Sequence, residues 1–149
     1  MSETSDLIKL YSARILALTA DIPHLGRLES PQASIKKRSP LCGSTVTVDL
    51  DLEGGRVSRF AQEVKACALG QAAASVLGRA VVGRSVAELE RASAQLEAML
   101  KADGPVPEAP FEGFEALIPA REFKNRHTSI LLAVQATAEA AKQAEAAAH

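Results

Sequence analysis

Strict alternation of apolar and polar residues predicts one strand, from Thr45 to Leu52. A period of two is typical of a half-buried antiparallel strand. Gly54-Gly55 follows it and predicts a two-residue hairpin turn, with a return strand from Arg56 to about Val64. The apolar side of the first strand consists of Val46, Val48, Leu50 and Leu52, and the polar side of Thr45, Thr47, Asp49 and Asp51.

A third strand is predicted upstream, from Ala33 to Lys37, at the edge of the sheet. Its basic end, Lys36-Lys37-Arg38, would discourage association between sheets. We interpret Asp49 and Asp51 in the same way, as exposed charges that favour solubility and protect a strand rather than as an acid–base pair.

Helical spacing of apolar residues covers most of the remaining chain. A Ser85–Glu88 capping box marks the start of the third of these helices most clearly. A proline at a first helical position loses no hydrogen bond, so Pro119 can start the last helix. The predicted segments run from Ser5-Asp6 to about Ala20, from Cys67 to near Gly83, from Ser85 to Gly104-Pro105, as a short turn within Phe111 to Leu117, and from Pro119 onward.

These elements indicate an α+β fold, with a small three-stranded antiparallel sheet packed against about five helices. The 149 residues suit a single domain, 1–149. Because 47% of the chain is apolar but only 3% aromatic, the core must consist of Leu, Val, Ile and Ala. We expect a proline-containing loop insertion over 104–119 and an Ala-rich helical tail over 140–149 that frays at the surface.

The net charge and the start of the chain argue against nucleic-acid-binding, membrane and secreted disulfide-rich proteins. A formal net charge of −1 gives no attraction to nucleic acid or to an anionic membrane. No run approaches the roughly 18 apolar residues that span a bilayer. The polar start of the chain lacks the pattern of a signal peptide, and two cysteines do not make a disulfide framework. We therefore expect a cytoplasmic protein whose thiols are free or bound to metal.

Three residues stand out for their chemistry: Cys42, Cys67 and His127. Cys42 lies in a turn just before the clearest strand, and Cys67 follows the return strand. Since the open ends of a hairpin are neighbours, the two cysteines should meet at one end of the sheet although they are far apart in sequence. A thiol at a helix start is more acidic than usual, and Lys124 and Arg126 would add positive charge there.

Two thiolates and an imidazole are three of the four ligands of a zinc site, or part of an iron–sulfur site. The alternative stays open at this point. Cysteine often serves only as a small buried hydrophobe, and a lone histidine on an amphipathic helix is usually a core-edge residue. The chain contains no CxxC and no HExxH pair that would decide between them.

Five segments of the chain resemble, in order and spacing, the U-type iron–sulfur cluster assembly scaffold family (NifU N-terminal-like). The third of them is similar to the family's Asn-Pro-x-Cys-Gly-Asp element, the fourth to its second cysteine, and the fifth to its His-Cys-Ser-Ile-Leu element. The segments are Leu10-Tyr11-Ser12, Leu25-Gly26-Arg27-Leu28-Glu29, Ser39-Pro40-Leu41-Cys42-Gly43, Cys67-Ala68-Leu69-Gly70-Gln71-Ala72-Ala73-Ala74-Ser75 and His127-Thr128-Ser129-Ile130-Leu131.

The resemblance implies a scaffold that receives sulfur from a cysteine desulfurase, assembles a [2Fe–2S] cluster and passes it on. A branch of that family instead binds zinc and accepts sulfur, and the stretch from Gly104 to Arg121 is similar to the insertion of that branch. This chain departs from the family pattern at two ligands. Ser44 stands in place of the aspartate, and Thr128 in place of the third cysteine. These hydroxyls are poor metal ligands, so they are either donors beside a thiolate or space-filling replacements.

Three functions follow as hypotheses. The first is a scaffold or carrier that holds iron or a [2Fe–2S] cluster in an open site of Cys42, Cys67 and His127. The second is a sulfur acceptor, with zinc or without metal, for a cysteine desulfurase, and the third is an adaptor that has lost cluster chemistry. None is an enzyme. The expected partners are a desulfurase and either a chaperone or a recipient apo-protein, with no nucleic acid or membrane, and the chain is a monomer or a weak homodimer.

Overall fold

The computed structural model describes residues 12–41 and 43–147. Within them the chain forms three strands, four α-helices and one 3-10 helix. After the first helix come all three strands and then all the remaining helices, an order that is typical of an α+β domain. The elements are α1 (Ala13–Ala20), β1 (Ala33–Arg38), β2 (Thr45–Glu53), β3 (Arg56–Lys65), α2 (Ala68–Ala80), α3 (Val86–Lys101), the 3-10 helix (Glu112–Glu122) and α4 (Lys124–Ala147).

The sheet has the order β1-β2-β3 and is antiparallel throughout, as the alternation predicted. The hairpin turn lies at Gly54 and Gly55, whose φ angles of 60° and 78° favour glycine. At the other end of the hairpin Thr45 pairs with Lys65, so the chain before Thr45 and the chain after Lys65 leave the sheet side by side. This end carries the candidate site.

Helix α4 is the centre of the helical layer. It contacts β1 and β2 as well as α2 and α3, and α1 packs on α2. The apolar side of β2 is buried, with Val46, Val48 and Leu50 all nearly inaccessible. Many of the buried residues are alanines, which lets helices approach one another closely and explains how a core with so few aromatics is filled.

The helix starts are partly as predicted. Cys67 is the N-cap of α2, in an extended conformation. At the start of α3, the Ser85 hydroxyl accepts a hydrogen bond from the Glu88 amide, and the Glu88 carboxylate accepts one from the Ser85 amide. The capping box is therefore confirmed.

The predicted bounds of two other helices were wrong. The first predicted helix was continuous up to about Ala20, but Ser12 has an extended ψ of 164° and is the N-cap of Ala13–Ala20, so the helix is interrupted there. The predicted start at Ser5-Asp6 lies outside the described residues. At the other end, Pro119 lies inside the 3-10 helix and α4 begins at Lys124. The 3-10 helix persists because it buries Phe114 and Leu117 in the core.

The Ala-rich end of α4 is also more integrated than expected. Ala140, Ala141 and Ala144 are buried, so one side of this segment packs on the rest of the domain up to the last described turn. A surface tail would have exposed all sides of the helix.

The interpretation of Asp49 as an exposed charge was wrong. β2 is the central strand, and the Asp49 side chain is fully buried. Its carboxylate accepts hydrogen bonds from the Arg27 guanidinium, the Ser34 hydroxyl and the Leu28 amide. The segment after α1 folds over this side of the sheet and supplies Arg27 and Leu28, and the edge strand β1 supplies Ser34. The alternation within β2 alone does not reveal these partners.

Candidate functional site

The connection between β1 and β2 forms a short loop at the open end of the sheet. Arg38 pairs with Thr45, and the Ser39 amide donates a hydrogen bond of 2.8 Å to the Ser44 carbonyl. The Gly43 amide donates to the Ser39 carbonyl at 3.1 Å, with a φ of 71° at Gly43. We call residues 39–44 the Cys42 loop. Cys42 itself lies outside the described residues, so its meeting with Cys67 stays a prediction.

Cys67 lies beside this loop, at the N-terminal end of α2. Its thiol is partly buried and free. The Sγ atom lies 3.5 Å from the Ser129 hydroxyl of α4, and Ser129 in turn donates to the Ser44 hydroxyl at 3.0 Å. The structure thus brings Cys67 and the Cys42 loop together through one serine, which supports the hairpin argument for this side of the site.

The environment of Cys67 favours its charged form. Burial raises the pKa of the thiol, yet the net shift is downward because four groups stabilise the thiolate. In decreasing order of effect these groups are the Ser129 hydroxyl, the backbone amides of Gly70 and Leu69, and the Arg126 side chain. The Ser129 hydroxyl has one proton, which points to the sulfur rather than to Ser44 when the thiolate is present. The thiolate is the form that binds metal and attacks sulfur.

Thr128, which the family resemblance aligns with a third cysteine, also contacts the Cys42 loop. Its hydroxyl lies 2.9 Å from the hydroxyl of Ser39, whose side chain is buried. Ser44, at the aspartate position, is likewise nearly buried against Ser129. At the two positions where the family resemblance implies a metal ligand, this chain thus has a hydroxyl bonded to another hydroxyl.

Gly70 was missed by sequence reasoning although it shapes the site. A Cβ atom at this position would lie 2.7 Å from the Ser129 hydroxyl and 2.8 Å from the Ala66 Cβ. The absence of a side chain lets α4 seat Ser129 directly on the first turn of α2. The small-residue run after Cys67 was the available signal, since it indicates a close helix contact.

His127 is buried in the first turn of α4, and its Nε2 atom lies 3.0 Å from the carbonyl oxygens of both Ala120 and Arg121. Two carbonyl acceptors require a proton on Nε2, so in the neutral ring Nδ1 carries the lone pair. Metal-binding histidines commonly donate their other ring N–H to a carbonyl in this way. The ring also borders an open cleft of about 610 Å³. Lys124 is exposed and borders the same cleft, so its electrostatic support of Cys67 stays a prediction.

A metal ion needs several donor side chains close together. Within residues 12–41 and 43–147, no three His, Cys, Asp or Glu side chains are grouped closely enough to hold one. Cys67 and His127 offer one thiolate and one imidazole nitrogen, and a closed tetrahedral site needs four donors. The contacts of Cys67 are with Ser129, whereas those of His127 are with the 3-10 helix and the cleft beside it, so a metal site shared by Cys67, His127 and Cys42 stays a prediction.

These features define a class of protein: a small sheet covered by helices, with a thiol of lowered pKa where two strands leave the sheet. The chain belongs to the NifU-like N-terminal domain family, whose model matches residues 10–112. The family resemblance and the α+β fold are thereby confirmed. Membership of this family also agrees with the expectation that the chain is not an enzyme.

Solved structures agree with this assignment. The N-terminal part of a nitrogen-fixing NifU-like protein from Brucella abortus is 42% identical, over 95% of this chain and 98% of that one, with a TM-score of 0.92. A protein of Fervidobacterium islandicum AW-1, assigned as an iron–sulfur cluster assembly scaffold for the SUF system, shares the fold at 18% identity, over 90% and 98% of the two chains, with a TM-score of 0.79. No curated protein sequence matches the chain. In the part of the chain that the structure describes, no helix has the length and apolar character needed to cross a membrane.

Proposed function

We propose that this protein is an iron–sulfur cluster assembly scaffold or carrier. In this proposal its cargo, iron or a [2Fe–2S] cluster, binds through Cys42, Cys67 and His127. The observation that carries the proposal is the environment of Cys67, whose thiol lies at a helix start with a lowered pKa and beside the Cys42 loop. Family membership supports it, since the relatives named above include an assigned cluster scaffold.

The site would be an open one. Ser44 and Thr128 bring hydroxyls in place of a carboxylate and a thiolate, and these bind iron or zinc weakly. His127 would contribute Nδ1, because its Nε2 proton is engaged with two carbonyl oxygens. A coordination position left open is where a partner thiolate can bind and where cargo can be exchanged. This favours transient holding of cargo over permanent storage.

A second function, acceptance of sulfur from a cysteine desulfurase, rests on one specific observation. The pKa of the Cys67 thiol is lowered, which favours the nucleophilic thiolate, and no three-ligand group accompanies it among the described side chains. The sulfur relay would need only this thiolate, with zinc at the site or with no metal. In both functions a desulfurase is the proposed partner, and a chaperone or recipient apo-protein would follow in the scaffold function. Both functions require reduced thiols, as in the cytoplasm.

The test compares four proteins prepared without oxygen: wild type, Cys42→Ser/Cys67→Ser, His127→Gln, and Ser93→Ala as a control on α3. Each is analysed for iron, zinc and sulfide, as isolated and after incubation with ferrous iron, cysteine and a desulfurase. We expect about one metal ion or cluster per chain or pair of chains in wild type and the control, and none in the double cysteine variant.

The identity of the bound species separates the functions. Iron with acid-labile sulfide supports the scaffold. Zinc, or a persulfide on Cys67 without metal, supports sulfur acceptance. Wild type that takes up neither metal nor sulfur under these conditions would contradict both and leave an adaptor. If His127→Gln binds like wild type, His127 is not a ligand and serves only to hold the 3-10 helix.

A further inference from the structure

Two consecutive residues of α4 contact the two ends of the Cys42 loop. The Thr128 hydroxyl lies 2.9 Å from the Ser39 hydroxyl, at the start of the loop. The Ser129 hydroxyl donates to Ser44, at the end of the loop, over 3.0 Å. A single turn of one helix thus holds both ends of the loop that carries Cys42.

The loop closes on itself between these two contacts. The Ser39 amide donates to the Ser44 carbonyl, and the Gly43 amide donates to the Ser39 carbonyl. Ser39, Ser44 and Ser129 are all buried. Because buried hydroxyls are costly to leave without partners, these contacts favour one arrangement of the loop base over others.

Ser129 also ties the loop to the opposite side of the site. Its oxygen lies 3.5 Å from the Cys67 sulfur, and it is seated on the bare backbone of Gly70, where no Cβ would fit. Its position is therefore fixed by the packing of α4 on α2 as well as by its hydrogen bonds. The hydroxyl links the N-terminus of α2, the end of the loop and α4.

We propose that Thr128 and Ser129 are positioning residues, which together with Ser39 and Ser44 form a hydroxyl clamp that holds the Cys42 loop against the helix end bearing Cys67. Where the family has a metal-binding cysteine, this chain thereby uses threonine to orient a loop. The clamp would pre-arrange two thiols for cargo before any metal arrives, and this functional meaning rests on the function proposed above.

The first test measures the clamp in metal-free full-length protein, by hydrogen exchange of the Gly43 amide observed by NMR. Thr128→Val keeps the shape of the side chain and removes its hydroxyl. Since one net hydrogen bond is lost, we expect exchange at Gly43 to be about five- to tenfold faster. Thr128→Ser should restore the wild-type rate. The matched control is Thr137→Val, which removes a buried hydroxyl bonded to the Ala133 carbonyl elsewhere on α4.

Ser39→Ala separates a clamp from a merely packed threonine. If the two hydroxyls act as a pair, Ser39→Ala reproduces the effect of Thr128→Val, and the double variant exchanges no faster than either single one. The proposal is overturned if Thr128→Val leaves Gly43 exchange equal to that of Thr137→Val, or if Thr128→Ser does not restore it. Ser129→Ala should also accelerate exchange at Gly43, through its contact with Ser44.

Zinc titration of the same variants gives the functional readout. We expect Ser39→Ala and Thr128→Val each to weaken zinc binding about tenfold, the effect typical of losing a group that orients a ligand. If Thr128 were itself a ligand, Ser39→Ala would leave zinc affinity unchanged, and positioning would be wrong. If wild type binds no zinc and no iron, the proposed function fails, while amide exchange still decides the clamp.

Discussion

The guanidinium of Arg27 binds the buried carboxylate of Asp49 through two nitrogens, with Nε 2.7 Å from Oδ2 and Nη2 3.2 Å from Oδ1. The Ser34 hydroxyl and the Leu28 amide complete the set of donors. This network joins three parts of the domain: the segment after α1, the edge strand β1 and the central strand β2. A buried charge of this kind is tolerated only because several donors replace its hydration.

We therefore expect Asp49→Asn to destabilise the protein by about 2 kcal/mol, because the isosteric amide loses the ion pair and turns donor atoms towards donors. Urea denaturation measures this free energy of unfolding. Asp21→Asn is the control, because the Asp21 side chain is exposed and its carboxylate lies as far as 3.8 Å from the Arg79 guanidinium, which makes a weak ion pair. We expect its free energy of unfolding to change by no more than about 0.5 kcal/mol. Equal effects of the two substitutions would contradict a structural role for the network.

The same carboxylate should make stability depend on acid pH. Burial raises the pKa of Asp49, but hydrogen bonds from Arg27, Ser34 and Leu28 outweigh it and hold the pKa below its ordinary value of 3.8. The stabilisation is then complete above the pKa of the unfolded chain and is lost as the pH falls through the lower, folded pKa. The difference in unfolding free energy between wild type and Asp49→Asn should be constant from about pH 7 to pH 5 and shrink below about pH 4. A difference that grows on acidification would show the opposite shift.

Arg126 and Lys124 form a matched pair for testing the electrostatics of Cys67. Arg126 lowers the pKa of the Cys67 thiol, whereas Lys124 borders the cleft next to His127. In a Cys42→Ser background, Arg126→Gln should raise that pKa and slow alkylation by iodoacetamide at pH 7 about two- to threefold, because less thiolate is present. Lys124→Gln should change the rate little. Equal rates in both variants would mean that the helix start and Ser129 alone set the acidity.

Gly70→Ala tests the close contact between α2 and α4. In an unhindered helix this change stabilises by up to about 1 kcal/mol, but here the new Cβ meets the Ser129 hydroxyl and the Ala66 Cβ, so we expect a loss of about 1–3 kcal/mol. The penalty should be smaller when measured on Ser129→Ala, which removes the hydroxyl that lies nearest to the new Cβ. A stabilising Gly70→Ala would show that the two helices separate easily at the site.

Introducing the two ligands that the family resemblance implies should strengthen metal binding and destabilise the metal-free protein. The double variant Ser44→Asp/Thr128→Cys adds a carboxylate and a thiolate to the proposed donors Cys42, Cys67 and His127, so that four donors are available even without His127. We expect zinc binding to be tighter by at least about tenfold, as each added donor strengthens a tetrahedral site. Without metal the variant should unfold more easily, because a charge enters a buried position and the Thr128–Ser39 contact is lost. Zinc titration and urea denaturation of the metal-free protein check both expectations.

Local patterns were sufficient wherever a residue's surroundings come from its own segment. The alternation from Thr45 onward, the Gly54-Gly55 turn and the Ser85–Glu88 capping box depend on neighbours within a few positions, and the structure has all three. The placement of Cys67 beside the loop before β2 also followed from the chain, because hairpin geometry relates two distant positions without further packing information.

Tertiary packing decided the rest. The sequence of β2 does not indicate whether water or Arg27 covers its polar side. Only the position of the segment after α1 in the fold shows that Asp49 is buried. The fit of Ser129 on Gly70 and the turning of His127 towards the 3-10 helix likewise depend on how α4 docks against elements far away in the chain. The sequence by itself determined the family, the sheet and the candidate thiols. Which hydroxyl faces which thiol was decided only when the helices packed, because hydrogen-bond partners are a property of the assembled core.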